Sequence, residues 1–252
     1  MDHPYLDTPA PIAFAHRGGA ADGPENTAES FARAVQLGYR YVETDVHTTA
    51  DGIPVIFHDP DLRRLTGRPE RVAELTWADL ATVRVAGAAA VPRLDEVLDA
   101  WPHVRFNIDV KADGGEEPTV RVIESVVAQD RVLLASFSDA RLTRIRALAP
   151  RIATSMGMRA VAKLRVASLA GRRLRLPASV VAAQVPPRYG RLPVVDARFV
   201  RAAHAQGLQV HVWTIDDPAQ MHALLDLGVD GIMTDRLDVL RDVYTQRGVW
   251  PA

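Results

Sequence analysis

The chain has 252 residues, of which 48% are apolar and 24% charged, with a formal net charge of −1. That composition is ordinary for a globular protein, and nothing in the global charge points to a nucleic acid partner. Cysteine is absent, so disulfides and thiolate metal sites are excluded, and any metal must sit on oxygen or imidazole.

The length suits one α/β barrel, which typically runs to about 250 residues, so a single domain spanning 1–252 is expected. The N-terminal stretch has no cationic segment followed by an apolar core, and no run of about 18 apolar residues occurs anywhere. The expectation is a soluble cytoplasmic protein without stable membrane insertion. Only two of the 30 cationic side chains are lysines, Lys111 and Lys163, which draws attention to the ammonium at 111.

In chain order, residues 12–15 read as a first strand ending in His16-Arg17. A helix over 27–37 follows, with Asn26 as its cap and Gly38 as its stop. The second strand, 41–46, carries Glu43 and Asp45. Asp51-Gly52 then signals a hairpin whose return arm, 55–58, ends in His58-Asp59. Residues 60–92 read as a short cap, with 87–91 as a loop. A helix over 94–100 leads to a third strand over 104–110, with Asn107, Asp109 and Lys111 at its end. Strands over 132–137, 152–155, 180–184, 209–214 and 231–234 complete eight. Helices over 118–128, 139–149, 196–206 and 218–227 lie among them. Most of the strands are continuously apolar, as in a parallel sheet covered by helices. Eight such units favour a closed (β/α)8 TIM barrel, with a small hairpin insertion after strand two, over an open doubly wound sheet.

The active site of such a barrel lies at the C-terminal ends of its strands. Glu43 and Asp45 are two apart and so project to one side, as do Asp109 and Lys111. Carboxylates pointing into an apolar barrel are costly unless paired or bound to a metal. Three that converge make a hard-oxygen site for Mg2+ or Ca2+; the alternative is simple pairing with Arg17 and Lys111. His16 and His58 flank the cluster, and imidazole suits general acid–base work near neutrality. A phosphodiester needs a base, an acid and cations against the phosphate charge, and this constellation holds a candidate for each.

His16-Arg17-Gly18, Pro24-Glu25-Asn26-Thr27, Glu43-Thr44-Asp45-Val46 and His58-Asp59 lie in the order seen in one enzyme family. Asn107-Ile108-Asp109-Val110-Lys111, Ser136-Phe137, Trp213-Thr214 and Thr234-Asp235 continue the pattern. Over nearly the whole chain the sequence resembles the glycerophosphodiester phosphodiesterase family. The resemblance implies a metal-dependent barrel enzyme that splits a glycerophosphodiester into sn-glycerol 3-phosphate and an alcohol. It further implies His16 and His58 as the acid–base pair and Glu43, Asp45 and Asp109 as ligands of one divalent cation. Arg17 and Lys111 would contact the phosphate, and family members often proceed through a cyclic phosphate. The third acid is commonly Glu in the family and here is Asp109, as in related sphingomyelinase D–type phospholipases.

A lysophospholipase D-like phosphodiesterase or lyase that stops at the cyclic phosphate is the second enzymatic reading. A barrel that only binds a phosphorylated ligand is the non-enzymatic one. Trp213 is a candidate to offer its ring to substrate, with a buried barrel aromatic as the rival. Glu25 is placed to orient His16 or Arg17. His47, His204, His211 and His222 read as outward or helical positions without a role, and the cations over 159–175 as a solvated helix face.

Overall fold

A computed structural model of the chain describes residues 3–7 and 11–250. Eight parallel strands close into a barrel: β1 (Ile12–His16), β2 (Tyr41–Thr48), β4 (Arg105–Val110), β5 (Val132–Ala135), β6 (Ala153–Ser155), β7 (Val180–Val185), β8 (Gln209–Val212) and β9 (Gly231–Thr234). The barrel closes where β1 pairs on one side with β9 and on the other with β2. The hairpin arm β3 (Pro54–Ile56) runs antiparallel to β2. Residues at matched register on neighbouring parallel strands stand side by side. His16 therefore lies beside Glu43, and Asp45 beside Asp109.

The longer helices outside the strands are α1 (Ala28–Gln36), α2 (Leu94–Ala100), α3 (Glu116–Ser125), α4 (Asp139–Leu148), α5 (Met158–Ala170), α6 (Ala197–His204), α7 (Pro218–Asp226) and α8 (Leu237–Gln246). The main apolar core lies between helices and barrel, built from residues such as Phe31, Phe106, Leu134, Phe199 and Leu240. The barrel interior is filled at its lower end by Phe14, Tyr41, Leu133 and Met233, and Tyr5 plugs the bottom. Polar groups are thereby left to the upper end, where the strands finish.

Two helices, α5 and α8, go beyond the six expected. Neither start carries a side-chain cap from its own N-cap residue, so the local signal is missing. The first turn of α5 is instead capped from a distance: Asp139 accepts hydrogen bonds from the N–H groups of Arg159 and Ala160 at 2.8 and 3.1 Å. Asp139 packs so closely on Gly157 that a Cβ there would come within 2.7 Å of the carboxyl carbon.

Residues 60–92 are also more than a short cap. Val55, Phe57, Leu62, Val72, Leu80 and Val85 form a separate small core. One-turn helices at Arg63–Thr66 and Trp77–Leu80 enclose it, together with a ribbon pairing Arg84–Val85 with Ala89–Ala90 where a loop was expected. The cap of α1 is Thr27, not Asn26. Thr27 Oγ1 accepts the Ser30 N–H at 3.1 Å and Ser30 Oγ accepts the Thr27 N–H at 3.2 Å. His211 likewise is not outward: it is fully buried inside the barrel beside Phe14, bonded to Gln184 and Gln209. No helix among the described residues is long and apolar enough to cross a membrane.

Candidate active site

At the end of β1 the chain turns through three successive left-handed residues, Arg17 (φ 52°), Gly18 (78°) and Gly19 (91°). A side chain at Gly18 would also collide with Ser30 and Phe31, at 2.4 and 2.8 Å. This turn aims the Arg17 N–H at Glu43, whose Oε2 accepts it at 3.1 Å. The Arg17 guanidinium donates to Glu25 Oε1 at 3.0 Å, and its Nε stands 3.3 Å from Asp45 Oδ2 as an ion pair. His16 Nδ1 lies 2.7 Å from Asp235 Oδ1, across the seam where β9 meets β1. A carboxylate only accepts, so Nδ1 carries the hydrogen and Nε2 is left facing Glu43, 3.8 Å away. Burial opposes the charged form of His16, but Glu43 and Asp235 outweigh it and the pKa is raised.

The acids of β2 and β4 are buried. Asp45 accepts from Asn26 Nδ2 at 2.8 Å, and Asn26 Oδ1 in turn accepts from Thr44 Oγ1 at 2.7 Å. Asn26, left-handed at φ 57°, is thus a buried partner of the acid cluster. The Lys111 ammonium sits 2.7 Å from both Asp45 Oδ1 and Asp109 Oδ2. Burial, reinforced by Asp45, pushes Glu43 up to about 7. For Asp45 burial is overcome by Lys111 and Arg17, and its pKa is lowered. Asp109 is raised, chiefly by burial.

Among the described residues no three His, Cys, Asp or Glu side chains stand close enough together to hold a metal ion. Between Asp45 and Asp109 the cation is the Lys111 ammonium itself. The donor set nevertheless fits a hard cation. It offers three carboxylates, and the buried Asp109 Oδ1 has no hydrogen-bond partner among the described residues.

His58 leaves the hairpin with its Nδ1 2.7 Å from Asp59 Oδ1. Its carbonyl faces His47 Nε2 at 3.2 Å, so His47 is a buried support of this turn. His58 lies near enough to Asp45 to help lower that acid's pKa. Asp59 is held in turn by Arg64, whose Nε donates to Oδ2 at 2.6 Å. The fork of the same guanidinium grips Glu25 at 2.6 and 3.0 Å. Trp213 is half-buried and meets Phe137 edge-on at 5.6 Å, and the Lys111 ammonium lies 5.9 Å from the centre of the Phe137 ring.

The structure thus brings His16, Arg17, Glu43, Asp45, Asp109 and Lys111 into one network. It leaves Trp213 at the edge, against Phe137, with no hydrogen bond to the acids among the described residues. Sequence reasoning gave no role to Asp235, Asp59 or Arg64. Asp59 and Asp235 stand in the motifs His58-Asp59 and Thr234-Asp235, which mark them without giving a role; Arg64 has no such signal. Glu116, ahead of the helix expected over 118–128, opens α3 and is buried against Arg144.

Residues 16–239 match the Glycerophosphoryl diester phosphodiesterase family. A Mycobacterium tuberculosis protein named "probable glycerophosphodiester phosphodiesterase 2" is 44% identical over 95% of this chain and 92% of its own length. A solved structure from Silicibacter pomeroyi superposes with a TM-score of 0.81 over 99% of this chain and 100% of that one, at 24% identity. A phosphodiesterase of Oleispira antarctica, solved with the product sn-glycerol-3-phosphate, superposes with a TM-score of 0.77 at 25% identity, over 94% of this chain and 97% of that one. With a (β/α)8 barrel bearing two carboxylate-anchored histidines around buried acids, the chain belongs to the glycerophosphoryl diester phosphodiesterase family and is an enzyme of that family.

Proposed function

We propose that the chain hydrolyses glycerophosphodiesters to sn-glycerol 3-phosphate and an alcohol by acid–base catalysis between His16 and His58. The observation that carries this is the anchoring of both imidazoles. Each has Nδ1 held at 2.7 Å by a carboxylate, Asp235 or Asp59, so each has Nε2 for proton transfer. Glu43, Asp45 and Asp109 would hold one divalent cation, Mg2+ or Ca2+, which supplies positive charge against the phosphate.

Arg17 and Lys111 offset the remaining phosphate charge. Lys111 reaches the phosphate by leaving the position it now holds between Asp45 and Asp109. His58 takes the proton from the glycerol 2-hydroxyl as it attacks phosphorus, and water then opens the resulting cyclic phosphate to sn-glycerol 3-phosphate. His16 protonates the leaving oxygen, a role suited to an imidazole whose pKa lies above its ordinary value. Trp213 borders the mouth and offers its ring edge to the glycerol or the head group.

Substituting each histidine by Ala tests the assignment. Each loss lowers kcat on glycerophosphocholine by about 10²–10⁴-fold. A glycerophosphodiester with a p-nitrophenyl leaving group needs no proton donor, so it restores turnover to His16→Ala and not to His58→Ala. Rescue of His58→Ala instead reverses the two roles, and rescue of neither removes His16 as the acid. Phosphorus NMR of the products separates hydrolysis from a lyase that stops at the cyclic phosphate.

A further inference from the structure

The charge of this chain is divided unevenly. Residues 140–195 contain twelve Arg and Lys side chains and no Asp or Glu, leaving eighteen cations against thirty-one acids for the rest. Consecutive units of a barrel are neighbours, so this stretch is one sector, running from α4 through β6, α5 and β7. The same sector carries most of the exposed large apolar side chains. On α5 these are Met158, Val166 and Leu169, at 53%, 68% and 61% exposure. Beyond β7 they are Tyr189 and Leu192, on the exposed ribbon that pairs Arg188–Tyr189 with Leu192–Pro193.

Cations are interleaved with them. Arg159 and Lys163 share the outward face of α5 with Val166 and Leu169, while Arg172, Arg173 and Arg175 follow its end, all exposed. Among the described residues none of these five cations pairs with a carboxylate. Where an acid does reach the sector it is already spent: Asp196 pairs with Arg165 at 2.9 Å, and Asp139 caps α5. The burial that holds α5 in place comes from Leu164 and Ala167 on its inner side.

We propose that this sector docks on the surface of an anionic lipid bilayer, with α5 lying against the head groups. A helix with cations beside aliphatic side chains, and no acid among them, matches a surface that is negative outside and apolar just beneath. Nucleic acid would answer the cations but leave Val166, Leu169 and Met158 without a partner. A second copy related by a two-fold axis would set the cations against themselves. Contact is peripheral and reversible, in keeping with the absence of a spanning helix among the described residues. The start of α5 at Met158 and the ribbon after β7 lie at the face of the barrel where the strands finish, whereas Arg172, Arg173 and Arg175 follow the other end of α5, so docking lays the flank of the barrel on the lipid with the mouth at its edge.

The test is flotation of the full chain with vesicles, without substrate, so that its result is independent of the catalytic reading. At about 0.1 M salt the protein floats with vesicles of about 30% phosphatidylglycerol in phosphatidylcholine and not with phosphatidylcholine alone, and about 0.5 M salt releases it. The pair Arg172→Glu and Arg173→Glu, and separately the pair Val166→Ser and Leu169→Ser, each lower the bound fraction about tenfold. All four positions are exposed, and an unchanged melting temperature shows that the variants remain folded. The proposal is overturned by failure to float with anionic vesicles, or by equal flotation with neutral ones. It is also overturned if both pairs of substitutions leave binding unchanged, if polyuridylate displaces the vesicles at equal charge, or if sedimentation shows that the wild type self-associates through these side chains.

Discussion

Asp235 shows how one residue can set the chemistry of another that is distant in sequence. Its carboxylate holds His16 Nδ1 at 2.7 Å and, with Glu43, raises the imidazole pKa against the effect of burial. Asp235→Asn keeps the shape and removes the charge, so the pKa of His16 falls. An acid catalyst is active while protonated, so the alkaline limb of the kcat–pH profile moves to lower pH in the variant. An unmoved limb would mean that His16 is not the group titrating there. In the sequence Asn26 reads equally as a helix cap, the usual signal of an Asn ahead of a helix, and as a substrate contact. Its left-handed backbone and its bond to Asp45 are visible only once β2 is beside it.

The insertion after the hairpin reaches the proposed catalytic centre. Arg64 stands on a one-turn helix of the insert and joins Glu25, the partner of Arg17, to Asp59, the partner of His58. Its side chain is 47% exposed, so little apolar burial depends on it. Arg64→Gln is expected to lower kcat at saturating substrate by about 10–100-fold with a nearly unchanged melting temperature. Lysine cannot reproduce a fork that meets two carboxylates at once, so Arg64→Lys remains impaired. Full activity in the lysine variant would reduce Arg64 to a point charge. The helices teach the same lesson about distance. Those with a local cap were readable, including α7 with Asp217-Pro218 at its start. By contrast α5, capped by Asp139 from the preceding unit, was not.

For the whole molecule, the barrel interior carries a linkage between pH and stability. His211 is fully buried, and burial depresses its pKa to about 3. The unfolded chain binds a proton at this residue below its ordinary pKa of about 6.5, while the native state refuses it down to about 3. The stability contribution is therefore complete above pH 6.5 and declines as the pH falls toward 3, by on the order of 2 kcal/mol at pH 5. His16, whose pKa is raised, acts in the opposite sense and adds stability at lower pH. The difference between wild type and His211→Gln isolates the buried imidazole. Urea unfolding at pH 7 and pH 5 should show a smaller loss in the variant, and equal losses would place the acid sensitivity elsewhere.

The local pattern by itself determined the eight strands, the barrel class, and the set of histidines, acids and cations at the strand ends. These are written in runs of a few residues: an apolar strand, a glycine stop, two acids on alternate positions of β2. The tertiary structure decided which of those groups meet. Asp235 reaches His16 across 219 residues because β9 closes onto β1. Lys111 lies between Asp45 and Asp109 because β2 and β4 pair in that register. Side-chain identity is a property of one position, but a hydrogen bond between strand ends depends on register and closure, which no short window of sequence contains.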